Sequence, residues 1–282
     1  MSWIITGQEA GSLKLLDQYG GAAAAYSLRN LSLYYTDPVV RVRRDNDDAE
    51  QDFTATEVSD GTLAAWVGAG NDGFVRIWYD QSGNENDAEQ ATAASQPKIV
   101  DSGTLVKENG KAALDFDGSN DWLNTAANFS NNDVNISAFV TALSKNVTSD
   151  GYLYDNSNNV IYGGGYTHRF LSSGGFRIWA QDAFTAIVDG GSTVNNTLYL
   201  TSRVSTNAGG ETNTLFQNGV QTGTATGAPS ARGAKSTTNI GRSELFSGYL
   251  NGLILELIAY PSDQSTSRAA IEANINAHYN IF

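Results

Sequence analysis

Three hydrogen-bonding side chains follow a short apolar run near residue 75. The run from Phe74 to Tyr79 is rich in β-forming residues, and Asp80, Gln81 and Asn84 come after it, with Gly83 among them. A polar, glycine-containing loop at a strand end is a common place for ligand-binding side chains. We therefore predict ligand contact for these three residues. The alternative is structural, with Asp80 closing an Asx-turn by accepting backbone N–H groups.

A second loop carries four oxygen-bearing side chains. They are Asp115, Asp117, Asn120 and Asp121. Since Ca²⁺ takes about six to eight oxygen ligands, the four residues form a candidate calcium site. The alternative is that they only form a turn, as acidic residues in turns commonly do. The sequence predicts no cofactor other than this candidate ion.

Several aromatic side chains have the size and shape to stack on a sugar ring. They are Trp122, Tyr162, Tyr166 and Trp179. Buried aromatic rings also dominate the packing of β-sandwich cores. Sugar stacking and core packing are therefore both open for these four residues.

Cysteine and histidine chemistry is nearly absent from the chain. There is no cysteine, which excludes disulfides and thiolate metal sites, and the two histidines are His168 and His278. We predict His278 in a terminal helix and His168 in a turn. Two isolated histidines argue against a zinc site and against a serine–histidine–aspartate triad.

The charge of the chain limits its partners. The formal net charge is −13, and Arg41, Arg43 and Arg44 form the one basic cluster. Nucleic-acid binding requires a broad basic surface, and anionic membranes repel an acidic protein. No apolar run approaches the roughly 20 residues that cross a bilayer. We therefore expect no nucleic-acid partner and no membrane partner.

The elements that must position these residues are mostly strands. Glycine and turn signals separate many short β-rich runs, and the pair Asn218-Gly219 predicts a tight hairpin. We expect helices at Ala22–Leu33, from its four alanines, and at Ser265–Tyr279, from its helical spacing. The predicted fold is all-β: an antiparallel β-sandwich of jelly-roll type with a few short helices.

Residues 1–12 form a predicted N-terminal arm. Its apolar group, Trp3, Ile4 and Ile5, is costly to expose and should dock on its own domain or on a neighbouring protein. Residues 13–282 then form a single predicted β-sandwich domain.

The segment 111–282 resembles the concanavalin A-like lectin and glucanase superfamily, of the laminin-G-like jelly-roll type. The resemblance is carried by the opening strand around Leu114-Asp115-Phe116-Asp117-Gly118, by Leu215-Phe216-Gln217-Asn218-Gly219, and by the closing strands at Ile240-Gly241-Arg242 and Phe246–Gly252.

The segment 13–110 resembles the catalytic module of α-L-arabinofuranosidase B. The matching motifs are Ala25-Tyr26-Ser27-Leu28-Arg29, Tyr35-Thr36-Asp37-Pro38, Arg41-Val42-Arg43-Arg44 and Trp78-Tyr79-Asp80-Gln81-Ser82-Gly83-Asn84. In that family a glutamate nucleophile precedes an Ile-Tyr-Phe-Gly-like segment, and the acid follows an Ile-Gly pair. Here the resemblance places Asn159 before Ile161-Tyr162-Gly163, and Arg242 after Ile240-Gly241. Neither residue can replace the missing carboxylate, so the resemblance implies ligand contact by Asn159, Tyr162 and Arg242 rather than hydrolysis.

Proteins with this pairing of segments are common among phage virion proteins. We therefore expect a non-enzymatic protein at the virion surface, such as a capsid decoration, head-fibre or tail-associated protein. Its partners would be other virion proteins, bound through the arm, and host-surface glycans; a homo-oligomer is compatible with the sequence. Two alternatives stay open: a glycoside hydrolase that uses relocated carboxylates such as Asp80 and Glu244, and a free carbohydrate-binding module.

Overall fold

The computed structural model describes residues 13–126, 129, 135–146, 148–156, 166–180, 186–206, 211–227 and 237–282. Strands β1 to β11 span, in chain order, Ala24–Ser27, Val40–Arg44, Glu50–Phe53, Gly73–Trp78, Ala88–Glu89, Lys98–Asp101, Thr104–Leu105, Lys107–Glu108, Lys111–Ala112, Leu114–Asp117 and Leu123–Thr125. Strands β12 to β23 span Ser137–Ser144, Gly151–Asp155, Tyr166–Phe170, Phe176–Ala180, Ala186–Gly190, Tyr199–Thr206, Glu211–Gln217, Val220–Gly227, Thr238–Ile240, Arg242–Ser243, Gly248–Tyr249 and Asn251–Tyr260. Helices α1 to α4 span Leu15–Gln18, Ala55–Ser59, Thr62–Val67 and Arg268–Tyr279, and a 3₁₀ turn spans Ala93–Ser95.

Strand β23 is the central strand of the main sheet. One of its edges pairs with β12 along nearly its whole length, and the other edge pairs with β1 and then with β10. All three pairings are antiparallel. The predicted all-β class and antiparallel organisation are therefore confirmed.

Two series of paired strands extend from β23, one on each side. In one direction β12 is followed by β17, β18 and β19. In the other, β10 leads through β6 to β4, and from β4 the ladder continues through β5, β11, β20, β13, β14 and β15 to β16. Strand β16 lies against β19, so the outer strands of the two series meet and the main sheet nearly closes on itself, as in a β-sandwich of jelly-roll type.

The hydrophobic core has two parts, one on each side of β23. The larger part fills the sandwich and includes Tyr26, Trp78 and Phe116, all fully buried. The smaller part lies outside the main sheet, where α4 covers it with Ile271 and Ile275. A strand between two apolar layers has to bury both of its faces.

This arrangement explains why the predicted helix at Ala22–Leu33 is wrong. The segment contains β1 instead, whose side chains alternate between the two core layers: Ala24 and Tyr26 face the larger one and Ala25 the smaller one. Small side chains fit where both faces are covered closely. Tertiary burial therefore outweighs the intrinsic helix preference of alanine here.

Other local predictions have mixed outcomes. The hairpin at Asn218-Gly219 is confirmed, and both residues have the positive φ angles, 51° and 79°, that its tight turn requires. The C-terminal helix is confirmed as α4, starting at Arg268. The turn predicted at His168 is wrong, because His168 is a fully buried residue of β14. Within the described ranges, no helix is both long enough and apolar enough to cross a membrane.

Candidate functional site

The best candidate site is a groove of about 550 Å³ beside β5 and β11, which we call the Trp122 groove. Strand β5 pairs with both β4 and β11, and this pairing places the loop after β4 next to the start of β11. The groove is lined by Trp122, Asn124 and the acidic residues Glu85, Asp87 and Glu89. It therefore combines one large aromatic ring with several hydrogen-bond acceptors.

Trp122 is covered on one side by Arg242. The guanidinium carbon of Arg242 lies 3.3 Å from the centroid of the Trp122 ring. The guanidinium is held by Asn239, whose Oδ1 accepts from Arg242 Nε at 3.4 Å, and by the carboxylate of Glu244. A cation over an indole is attracted by the electron-rich face of the ring.

The turn at Gly241 directs Arg242 onto the ring. Gly241 has a φ of +86°, and a side chain there would meet the Phe116 ring at 2.4 Å. The backbone N–H of Gly241 donates to Leu153 O at 3.2 Å, which ties the turn to β13. Only glycine fits this combination of positive φ and close approach.

Amides connect the aromatic wall to the sheet. Asn124 Nδ2 donates to Asn239 Oδ1 at 3.2 Å, and Gln90 Nε2 donates to the carbonyl of Trp122 at 3.1 Å. The backbone N–H of Trp122 donates to Ser95 O at 3.1 Å. The backbone that carries the indole is therefore held by two hydrogen bonds.

The acidic wall concentrates negative charge. Burial, together with the neighbouring charges of Asp80, Glu89 and Glu85, raises the pKa of Asp87, although the N–H of Asp80 donates to it at 2.9 Å and opposes the rise. Glu89 forms an ion pair with Arg76 at 3.2 Å. Carboxylates accept hydrogen bonds, so this wall suits a ligand rich in hydroxyl groups and repels an anionic one.

Asp80, Gln81 and Asn84 lie together beside β1. Asp80 Oδ1 accepts from the N–H groups of Ala25 and Ser82, both at 2.8 Å, and Asp80 Oδ2 accepts from the Ser82 hydroxyl and from the N–H of Asn86. These are the backbone contacts of the structural alternative. Both Asp80 and Gln81 are buried.

The amide groups of Gln81 and Asn84 make similar contacts to the N-terminal segment. Gln81 donates to Ser27 O and to Arg29 O, both at 2.9 Å, and Asn84 donates to Ala22 O at 2.8 Å. Arg242 does not join these contacts; it lies against Trp122, Asn239 and Glu244. The structure thus groups three of the six predicted ligand residues and places Arg242 against the ring of Trp122.

Asn159 and Tyr162, and also Trp3, Ile4 and Ile5 of the arm, lie outside the described residues.

Of the other predicted aromatic residues, Tyr166 is fully buried beneath the Arg203 guanidinium, and Trp179 is buried with its ring 5.1 Å from that of Phe246. Both rings therefore belong to packed regions.

The four candidate calcium ligands line or adjoin a second groove, of about 710 Å³. Asp115 pairs with Lys145 at 2.6 Å, Asp117 Oδ1 accepts from the N–H groups of Ser119 and Asn120, and Asp121 Oδ2 accepts from the N–H of Asp117. The amide of Asn120 donates to the carbonyl of Ala94. Among the described residues, no group of three or more His, Cys, Asp or Glu side chains is arranged to hold a metal ion.

Asp121 has an unusual protonation equilibrium. Burial, reinforced by the nearby charges of Asp117 and Asp115, raises the pKa of Asp121 to about 7. Asp121 is therefore a carboxyl group that can donate a proton near neutral pH.

The sequence prediction did not include Asp87, Glu89, Asn124 or Asn239. One signal was available for the first two, because the stretch from Asn84 to Gln90 contains three acidic residues in seven. Asn124 and Asn239 gave no such signal, since only the pairing of β11 with β20 brings them together.

Comparison with known proteins gives structural matches alone. No model of a known protein family matches the chain, and no curated protein matches it. A solved arabinofuranosidase, in complex with arabinofuranosyl-α-1,2-xylobiose, superimposes with a TM-score of 0.67 at 16% identity, over 91% of this chain and 62% of that one. A GH54 α-L-arabinofuranosidase soaked with a cyclic sulfate inhibitor gives 0.64 at 14% identity, with the same coverage.

A sialidase from Trypanosoma rangeli, in complex with 2,3-difluorosialic acid, gives a TM-score of 0.51 at 12% identity, over 72% of this chain and 31% of that one. At these identities the likeness shows the fold. This chain spans less than two thirds of the length of the arabinofuranosidases that it matches. The predicted resemblance to the arabinofuranosidase module thus has support at the level of the fold.

Proposed function

We propose that this chain is a carbohydrate-binding protein that holds a neutral sugar unit in the Trp122 groove without hydrolysing it. One observation carries the proposal: Arg242 stands where the family resemblance predicts the catalytic acid, and its guanidinium lies on the Trp122 ring. A guanidinium remains charged throughout the working range of proteins, so it cannot supply a proton to a leaving group.

The chemistry of the groove agrees with a neutral polyol ligand. Its carboxylates and amides offer acceptors and donors to hydroxyl groups, while its negative charge disfavours uronic or sialic acids. The indole supplies apolar surface for the C–H face of a sugar. The ligand named for one structural neighbour, arabinofuranosyl-α-1,2-xylobiose, makes arabinofuranosyl oligosaccharides the first ligands to test.

Replacing Trp122 by alanine is expected to weaken binding of an arabinoxylan oligosaccharide by about tenfold or more, because the variant loses the aromatic wall of the groove. Titration calorimetry on the full chain measures this effect. Trp66→Ala is the matched control, since Trp66 also carries an arginine over its ring, with Arg44 at 4.8 Å, but lies elsewhere. The Trp66→Ala variant should bind the oligosaccharide with the same affinity as the unmodified protein.

Two results would overturn this function. One is equal binding by the Trp122→Ala variant and the unmodified chain; the other is the absence of saturable binding to any member of a broad panel of neutral glycans. The same panel, analysed for released sugar, tests the hydrolase alternative. Release would direct attention to Asp121, whose pKa of about 7 suits a general acid.

A location at the virion surface is the finer part of the proposal. It is supported by the resemblance to phage virion proteins, by the net charge of −13 and by the apolar group Trp3, Ile4 and Ile5. In this proposal the N-terminal arm binds other virion proteins, and the sandwich presents the groove to host-surface glycans.

Deleting residues 1–11 is then expected to remove the protein from purified particles while its circular dichroism spectrum is unchanged. Quantitative mass spectrometry of particles carrying the full-length and the deleted chain measures incorporation. Equal amounts in both particles would contradict docking through the arm. Absence of the full-length chain from particles would contradict the location itself.

A further inference from the structure

A third cavity has the opposite electrostatic character to the Trp122 groove. It encloses about 340 Å³ between α2, the β8–β9 hairpin and the C-terminal end of α4, and we call it the lysine cavity. Four cationic side chains line it: Lys14, Arg29, Lys107 and Lys111. Among the described residues that line it, none is acidic, although acidic residues outnumber basic ones by 30 to 17 in the whole chain.

The three lysines of the cavity differ from the other lysines of the described residues. Among the described residues, Lys98 and Lys145 both form ion pairs, with N–O distances of 2.7 Å and 2.6 Å. No ion pair forms at Lys14, Lys107 or Lys111 within the same described part of the chain. In a strongly acidic protein, three lysines without an ion pair at one cavity are an unusual concentration of positive charge.

Two carboxylates beside the cavity already have partners. Glu256 lies fully buried behind the wall and forms two hydrogen bonds with Arg29, at 2.8 Å and 2.9 Å. Asp17 accepts from the Ser32 hydroxyl and from the N–H groups of Leu33 and Lys14. Glu256 is therefore paired with Arg29, and the charge of Asp17 acts on Lys14, which leaves Lys107 and Lys111 without an ion-pair partner among the described residues.

The remaining walls indicate the size and character of a ligand. Leu28, Val58 and Leu105 supply apolar surface, and Thr56 and Ser59 supply hydroxyl groups. A volume of about 340 Å³ is at the small end of the range for ligand sites. A small organic anion, with its charged group at the lysines and its body against the apolar wall, matches these features.

We propose that the lysine cavity binds a small organic anion whose charged group is a phosphate monoester or a carboxylate. The ammonium groups of Lys107 and Lys111 supply the charge that attracts it, and the Arg29 side chain forms a fixed wall. The described residues that line this site and those that line the Trp122 groove do not overlap, so the two proposals are tested independently.

Titration calorimetry on the full chain with glucose 6-phosphate, glucuronate and glucose tests the proposal. We expect saturable, salt-sensitive binding of at least one of the two anions and none of glucose. The preferred anion identifies the charged group. Lys107→Gln and Lys111→Gln should each weaken binding by about fivefold or more, because each removes one charge from the cavity.

Lys145→Gln is the matched control. It makes the same charge change at a lysine of the second groove, so it should leave the affinity for the anion unchanged. Thermal unfolding of each variant verifies that the protein is folded, and Lys107 is exposed, so its replacement should leave the unfolding temperature unchanged. The proposal is overturned if neither anion binds, if glucose binds equally well, or if Lys145→Gln weakens binding as much as the cavity variants.

Discussion

Replacing Arg29 by methionine is expected to lower the free energy of unfolding by about 3–5 kcal/mol, because the change leaves a buried carboxylate without its partner. Glu256 is fully buried, and Arg29 is the cation bound to both of its oxygens. Among the described residues, the remaining donors to Glu256 are the hydroxyl groups of Ser27 and Tyr279, at 2.8 Å and 3.1 Å. Urea denaturation followed by tryptophan fluorescence measures the loss.

The effect should depend on pH in a defined direction. Burial raises the pKa of Glu256, but the charge and hydrogen bonds of Arg29 outweigh this and hold it below its ordinary value of 4.5. The pair therefore contributes its full stability above about pH 4.5, and the contribution is lost as the pH falls through the lower pKa of the folded state. In the variant, burial is no longer opposed by Arg29, so the destabilisation should be largest near neutral pH and shrink in acid.

Arg41→Met is the matched control for this prediction. Arg41 binds Asp52 with the same two-point geometry, both distances being 2.7 Å, but about a third of each side chain is exposed. An exposed ion pair contributes at most about 1 kcal/mol. Equal destabilisation by the two substitutions would contradict the view that burial of Glu256 makes the Arg29 pair critical.

Replacing Asp80 by alanine is expected to cost about 3 kcal/mol of unfolding free energy. The change removes the acceptors of three backbone N–H groups, those of Ala25, Ser82 and Asn86, and an unsatisfied buried donor costs about 1–3 kcal/mol. Since Ser82 and Asn86 are only partly buried, water can replace part of the loss there. Urea denaturation again provides the measurement.

Two further variants provide the comparison for the Asp80→Ala result. Asp80→Asn keeps one acceptor oxygen and should give an intermediate loss, whereas Asp101→Ala removes an exposed carboxylate and should change the stability by less than about 0.5 kcal/mol. If Asp80→Ala retained full stability but lost sugar binding, the residue would be a ligand contact instead of an anchor for β1.

The sequence predicted best the elements whose signals are local. The apolar run at Gly73–Trp78, the Asn218-Gly219 hairpin and the C-terminal helix each depend on residues close together in the chain. The segment that forms β1 was misread because its alanines are needed for burial on two faces. That burial is created by β23, far away in the sequence, and no local pattern reveals it.

The candidate site likewise contains one part that the sequence indicated and other parts that only the fold reveals. The family resemblance drew attention to Arg242, but the sequence did not indicate that its guanidinium would lie on Trp122. That contact requires β11 to pair with β20 and the chain to turn at Gly241. The acidic wall depends likewise on β5 lying between β4 and β11. Sites assembled across strands in this way are specified by topology rather than by spacing.

The central place of β23 also bears on how the protein is made. During synthesis, β1, β10 and β12 leave the ribosome long before β23, the strand with which all three must pair. Until Tyr260 has emerged, the nascent chain carries unpaired edges and uncovered apolar side chains, which favour aggregation. The main sheet should therefore assemble only late in translation, and chains stalled before residue 251 should depend on chaperones to stay soluble.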